Sequence, residues 1–524
     1  VMVVPRQVRN IDTAELCQLL EIDMQSFTNR LNKARQYSPY RASPFVEQIS
    51  KTTYGYLQEK LYRFPGFFVQ PRTLRTYPYP IAAHTLGYVG EVNQKEIESD
   101  PYYRMGDYIG KSGIEKSYEK ELRGVKGEKI VLVDVFNREK GSFENGLYDK
   151  PQMAGQDLIT SLDLDLQLLG EKLMMNKRGS IVAIEPSTGE ILAIVSSPSY
   201  DPNLLVGRVR GENFKRLSQD PLNPLFNRSI QATYSPGSTF KLVNALVGLQ
   251  TGAITPESRF YCNGKASLPI ACSHSHYSPL ELIGAIEQSC NPYFWGVFKT
   301  TIEKTGGGDI HKGYNIWRQN VMSLGFGNYF DTDIPNQVKG NIPSSQYYDR
   351  YFGEKGWKAL TIRSLAIGQG EILITPLQLA NQAVVIANKG YYYPPHVVKS
   401  VQGKPTRWNK KQSSIDSQHF ETITKGMYRV FQGVSGTGRW YKLENIDICG
   451  KTGTVQNPHG KDHSLCIAFA PAENPKIAIS VVIENAGFGA TWAVPIASLM
   501  IEKYLTGKIS RTELEERMSQ ANLL

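Results

Sequence analysis

Ser238 and Lys241 stand three residues apart in Tyr234-Ser235-Pro236-Gly237-Ser238-Thr239-Phe240-Lys241. That spacing stacks two side chains on one face of a helix. Pro-Gly breaks the chain just before an apolar pattern at Leu242, Ala245, Leu246 and Leu249, and Gly252 follows as a stop. The pattern predicts a helix with Ser238 in its first turn. A serine hydroxyl is a weak nucleophile until a base takes its proton. A lysine held in a dry pocket near another cation loses its own proton readily enough to be that base. The helix start adds free N–H groups and positive potential for an oxyanion. Taken alone, Ser-x-x-Lys occurs constantly by chance, and a capping serine beside a surface lysine is the commoner reading.

Two further groups carry similar chemistry. Ser289-Cys290-Asn291 ends a stretch in which Ser278, Pro279 and Glu281 predict a capped helix start and Leu282, Ile283 and Ile286 a buried stripe. Pro292 disfavours the helical region for Asn291, so the triplet is expected at a junction between helices. Gly450-Lys451-Thr452-Gly453-Thr454 continues a strand in which Ile446 and Ile448 alternate with Asp447. Glycine in a strand marks close approach of a ligand or of another backbone, and lysine with threonine suits a carboxylate. Alternation puts Lys451 and Thr452 on opposite faces, so periodicity alone does not choose between Thr452 and Thr454.

Cys262, Cys272, His274, His276 and Cys290 form a different cluster, between the first two groups or inside the second. Thiolates and imidazoles suit tetrahedral zinc, and a structural site takes four such ligands. The preferred set is Cys262, Cys272, His276 and Cys290, with His274 as substitute. A Cys262–Cys272 disulfide and a Cys290 that is merely small and buried stay open beside it.

The elements that must hold these groups follow from the apolar pattern. Gly179–Glu185 and Glu190–Ser196 read as a hairpin around Pro186-Ser187-Thr188-Gly189. Strands return at 446–455, 465–470 and 477–484, and Ala490–Leu505 closes as an amphipathic helix. Strands from both ends with helices between them predict an α+β domain built on an antiparallel sheet. Residues 1–155 are Tyr- and Pro-rich, with an amphipathic stretch at Thr13–Leu31 and a capping-box spacing at Ser112 and Glu115 ahead of Gly124. They offer no nucleophile, metal cluster or phosphate loop. The expected division is 1–155, 156–508 and a charged tail helix at 509–524.

Composition sets the outer bounds. With 41% hydrophobic and 21% charged residues, the chain of 524 is globular rather than disordered or fibrous. Its 59 Lys and Arg outweigh 49 Asp and Glu by a net +10, without the Lys/Arg stripe that nucleic-acid binding needs. No apolar run is long enough to span a bilayer. Val1-Met2-Val3-Val4 reads as a strand entered midway, so an upstream signal or anchor is expected to be missing from this chain.

The order of the three groups carries more than any one of them. Ser289 follows Ser238 by 51 residues and Lys451 follows Ser289 by 162. Ser-x-x-Lys, Ser-x-Asn and Lys-Thr-Gly in this order form the signature of serine penicillin-recognising enzymes. Ser235–Lys241, Ile367-Gly368-Gln369-Gly370, Thr375–Ala380, Asp462-His463-Ser464 with Phe469-Ala470-Pro471, and Gly110–Gly124 extend the match over nearly the whole chain. The chain resembles a class B penicillin-binding protein, most like the penicillin-binding protein 2 (elongation) branch.

That resemblance implies a transpeptidase domain behind an elongated pedestal, and a D,D-transpeptidase that cross-links peptidoglycan stem peptides and is inhibited by β-lactam antibiotics. It implies Ser238 as nucleophile, Lys241 as its base, and Ser289 and Lys451 as a proton relay. Asn291 would hold the donor peptide, and Thr452, Gly453 and Thr454 would line the carboxylate end, with Thr454 favoured. The N–H groups of Ser238 and Thr454 would make the oxyanion hole. No cofactor is implied for catalysis. The implied partners are a polytopic glycosyltransferase and other elongation-complex proteins, bound through the pedestal. A single-pass anchor would hold the chain in the cytoplasmic membrane, with its catalytic domain in the periplasm. A division-branch relative shares all three motifs. A β-lactamase would need a deacylating base, which the sequence does not identify, and would not need the first 155 residues. A β-lactam sensor or scaffold does not explain an intact set of motifs. A bifunctional glycosyltransferase would need a catalytic-carboxylate domain at the front.

Overall fold

A computed structural model describes every residue except 72–73, 136–138, 208 and 355. The chain divides into two compact units, 1–157 with 201–219, and 158–200 with 220–524.

In the first unit a small core gathers Val3, Leu16, Leu20, Phe27, Leu31, Phe45, Leu57, Phe64 and Phe67. Phe45 meets Phe27 and Phe67 edge-on, with ring centroids 5.1 and 4.9 Å apart. The amphipathic stretch is two helices, Thr13–Leu20 and Met24–Tyr37. Glu21 turns left-handed at φ +53, and Asp23 then caps the second helix by accepting from the Ser26 N–H. The capping box expected at Ser112 does not form, because the Glu115 carboxylate accepts from Arg75 Nε and Nη2 at 2.6 and 2.9 Å instead. Residues 201–219 leave the second unit and join this one. Asn203 exchanges two hydrogen bonds with the Tyr77 backbone, and Phe214 packs against Tyr88. The expected unbroken 156–508 domain is therefore interrupted there by a surface excursion that has no compositional boundary.

The second unit is built on five antiparallel strands: β1 (Gly179–Ile184), β2 (Ile191–Ser197), β3 (Cys449–Val455), β4 (His463–Ala470) and β5 (Ile477–Ile483). Their order is β2-β1-β5-β4-β3, so the C-terminal hairpin lies beside the N-terminal one and β3 is left at the edge. β1, β2 and β5 are buried throughout, which is why they read as near-continuous apolar runs. Helices Ala493–Thr506 and Pro376–Ala387 pack on the sheet. The latter opens with the capping box of Thr375 and Gln378 and with Pro376 in its first turn. Helix Thr512–Gln520 belongs to this unit and is not a separate tail. Met518 is buried, Arg511 Nε donates to the buried Glu502 at 2.8 Å, and Lys177 Nζ donates to the Ala521 carbonyl at 3.0 Å. Among the described residues no helix is long and apolar enough to cross a membrane.

Candidate active site

Ser238 lies in a 3₁₀ turn, Gly237–Phe240, that runs straight into the helix Lys241–Gln250. The turn needs glycine at its start. Gly237 has φ +56, and a Cβ there would lie 2.7 Å from Val455 Cγ2. Its N–H donates to the Gly368 carbonyl at 2.8 Å, which gives the Gly-Gln-Gly segment a place beside the Ser238 turn. Gln382 Nε2 donates to the Thr239 carbonyl at 2.8 Å and fixes the turn from the buried helix below. Ser238 is half-buried between buried neighbours.

Lys241 is fully buried. Its Nζ donates to Asn291 Oδ1 at 2.6 Å, to the Ser289 carbonyl at 2.7 Å and to Ser289 Oγ at 3.2 Å. Burial pushes its pKa from 10.5 down to about 8, against a weaker opposing pull from Cys290 and Cys272. Lys451 Nζ donates to the same Ser289 Oγ at 2.8 Å. Burial, and then the neighbouring Lys241, hold its pKa well below the ordinary lysine range. Two desolvated lysines thus flank one serine hydroxyl.

The helix before Ser289 is shorter than expected, Leu282–Glu287, because Ser278 does not cap it. Ser278 Oγ instead accepts from the Cys262 N–H at 2.8 Å. The junction also falls one residue earlier than Pro292 suggested. Ser289 takes the left-handed conformation at φ +55, Cys290 is extended, and Asn291 already begins the helix Asn291–Thr305. A serine there stores about 1–3 kcal/mol, and the two lysines and the Asn291 contacts hold it in place.

β3 presents its free edge to the Ser238 turn, and a Cβ on Gly453 would lie 3.2 Å from Thr239 Cγ2. Lys451 points to Ser289, while Thr452 and Thr454 lie on the opposite face. Thr454 Oγ1 accepts from the Gly489 N–H at 3.3 Å. Thr452 Oγ1 stands 2.9 Å from Thr437 Oγ1. Thr437 is a site residue that sequence reading missed. Its only sequence signal is the run Gly433-Val434-Ser435-Gly436-Thr437-Gly438, a glycine-rich lead into the strand.

Cys262, Cys272, His276 and Cys290 converge, with their ligand atoms all within 4.8 Å of one another. His274 stays outside that group. His276 Nδ1 bonds the Tyr277 carbonyl at 2.8 Å, which makes Nδ1 the protonated nitrogen and leaves Nε2 as an acceptor, 3.5 Å from Cys272 Sγ. Cys262 Sγ accepts from the Gly264 N–H at 3.4 Å. The hydrogen bond between Cys272 and Cys290 lowers the Cys272 pKa and raises that of Cys290. All six cysteines are unbridged. The donor set fits zinc. The cluster also reaches the lysines, because Asn291 Nδ2 donates to the Ala271 carbonyl at 3.0 Å.

A five-stranded antiparallel sheet whose edge strand faces a serine-bearing turn is the fold of the serine penicillin-recognising enzymes. Residues 179–502 match the penicillin binding protein transpeptidase domain and residues 1–160 the penicillin-binding protein dimerisation domain; the chain belongs to the class B penicillin-binding proteins. It is 33% identical to the peptidoglycan D,D-transpeptidase MrdA of Acinetobacter baumannii over 521 residues, covering 93% of this chain and 74% of that one. Penicillin-binding protein 2 of Helicobacter pylori, solved in complex with MreC, superposes with a TM-score of 0.78 at 28% identity, covering 96% and 94% of the two chains. Penicillin-binding protein A of Mycobacterium tuberculosis, solved as an imipenem acyl-enzyme, gives 0.61 at 25% identity, covering 83% and 93%. The activity is that of a serine-type peptidoglycan D,D-transpeptidase, and the family needs no cofactor for it.

Proposed function

We propose that Ser238 is the nucleophile of this transpeptidase and Lys241 its base. Ser238 Oγ attacks the carbonyl between the two terminal D-alanines of a donor stem peptide, and the neutral Lys241 amine takes its proton. The N–H groups of Ser238 and Thr454 receive the oxyanion, each worth about 3–4 kcal/mol in the transition state. Collapse breaks the amide bond, and the departing D-alanine amine takes a proton delivered through Ser289 and Lys451. An amine of a neighbouring stem peptide then attacks the acyl-enzyme and frees Ser238. Asn291 holds the donor backbone. Thr452 and Thr454, with Thr437 behind them, take the terminal carboxylate, and Gly453 keeps the strand close to the nucleophile. The observation that carries this reading is the fully buried Lys241, bonded to both polar residues of the second motif. Intact mass after penicillin treatment should show one adduct, absent in Ser238→Ala. An adduct that persists in that variant would refute the assignment.

Cys262, Cys272, His276 and Cys290 hold a zinc ion whose role is structural. Bound there, it ties the 262–276 loop to the second motif and leaves the chemistry to Ser238 and Lys241. The first unit is a non-catalytic pedestal for protein partners, namely elongation-complex proteins and a polytopic glycosyltransferase. The complex of the Helicobacter pylori relative with MreC supports this. An N-terminal single-pass anchor in the cytoplasmic membrane places the catalytic unit in the periplasm, where its stem-peptide substrate lies; nucleic acid has no part in it. Co-purification of the full chain with the glycosyltransferase should fail when surface residues of 1–155 are substituted, and substitutions in 220–508 should leave it intact.

A further inference from the structure

Glu287 is the last residue of the helix leading into Ser289, and only 3% of it is exposed. Its Oε2 accepts from Arg429 Nε at 3.0 Å, and its Oε1 accepts from the backbone N–H of Ser435 at 3.2 Å. Arg429 is half-exposed at the end of the helix Ser417–Gln432. Ser435 lies in the glycine-rich segment between that helix and β3. A side chain at Gly433 would collide with this carboxylate, since a Cβ there would lie 2.2 Å from Glu287 Oε1. The remainder of the segment is fastened to itself and to its helix, through Gly436 N–H to the Gly433 carbonyl and Gly438 N–H to the Val430 carbonyl. Between them stands Thr437, 2.9 Å from Thr452.

A buried ion pair is a weak source of stability, and an apolar side chain of the same volume often serves as well. What an apolar side chain cannot supply is an acceptor at a fixed point for the Ser435 N–H. We propose that Glu287 is a positioning residue for the carboxylate end of the cleft. It fastens Ser435, and through Thr437 the Thr452 hydroxyl, to the helix end that carries Ser289. One carboxylate thereby sets the distance between the second motif, which handles the leaving group, and the third, which recognises the substrate's terminal carboxylate. The inference rests on the reading of Thr452 as a carboxylate-binding residue.

The test uses the full chain and compares acylation by benzylpenicillin with acylation by its methyl ester, which lacks the anionic carboxylate. The readout is the ratio of the two second-order acylation constants. Glu287→Ala should lower the acid-over-ester ratio on the order of 10- to 100-fold, the range expected for losing hydrogen bonds to a charged group. Glu287→Gln keeps an acceptor for Ser435 and should hold the ratio within about threefold. Gly433→Ala disturbs the same contact from the other side and should lower the ratio too, which keeps the test open if Glu287→Ala does not fold. Equal slowing of acid and ester in Glu287→Ala, with the wild-type ratio kept, would overturn the proposal. A wild-type chain that acylates both equally would overturn the carboxylate reading of Thr452 itself.

Discussion

Acylation should switch on with alkaline pH, and the break should report the lysines. Burial lowers the Lys241 pKa from 10.5 to about 8. At pH 7 the first value leaves about one neutral amine in 3,000 and the second about one in eleven, a gain of roughly 300-fold, or about 3.4 kcal/mol. The second-order constant for acylation by a fluorescent penicillin, followed by stopped flow, should therefore rise about tenfold per pH unit below pH 8 and level off above it. Because Lys241 and Lys451 share Ser289 Oγ, the observed break belongs to the pair. The same shift bears on stability with a definite sign. The folded chain resists protonating Lys241, so the penalty is fully present below pH 8 and is relieved as pH rises from about 8 toward 10.5. Lys241→Arg keeps a fixed cation in the pocket, and acylation should fall by about 10³-fold or more at every pH. A profile flat from pH 6 to 9, or wild-type acylation by Lys241→Arg, would sink the assignment of the base.

Gly237→Ala forces a Cβ to within 2.7 Å of Val455 Cγ2 at φ +56, and acylation should fall at least tenfold with the fold retained by circular dichroism. Elemental analysis of the purified chain should find one zinc; Cys262→Ser should release it, lower the melting temperature by several degrees and slow acylation in parallel, since Cys290 lies between Ser289 and Asn291. Glu115→Ala leaves the Arg75 guanidinium without the two hydrogen bonds it makes there, and should cost the first unit about 2 kcal/mol in a denaturant melt.

The strands and the candidate reactive residues stand out in the sequence for one reason: both are local. Gly179–Ile184 and Ile477–Ile483 are buried on both faces and so contain little but apolar and small residues. Ser238 and Lys241 sit on one turn, and that turn is punctuated by Pro236-Gly237. The sequence also brought together the four metal-ligand candidates, because thiol and imidazole are rare enough in this chain to stand out. The departures arise where a side chain answers to a distant partner. Glu115 has the spacing of a capping box, but Arg75, forty residues earlier, takes its carboxylate. Ser278 has the spacing of a cap, but the Cys262 backbone takes its hydroxyl.

The same asymmetry governs the cleft. A motif names the groups that react, since those groups must be particular residue types at a particular spacing. It is silent on what holds them, because Glu287 reaches Ser435 across 148 positions and Gln382 reaches Thr239 across 143. Many polar side chains with the right reach could do that work, so no residue type is singled out. Holding residues become visible only when the fold shows which side chain reaches which backbone group. Two such groups are the Thr239 carbonyl, which accepts from Gln382, and the Ser435 N–H, which donates to Glu287. Losing either partner should therefore slow acylation while every motif residue stays in place.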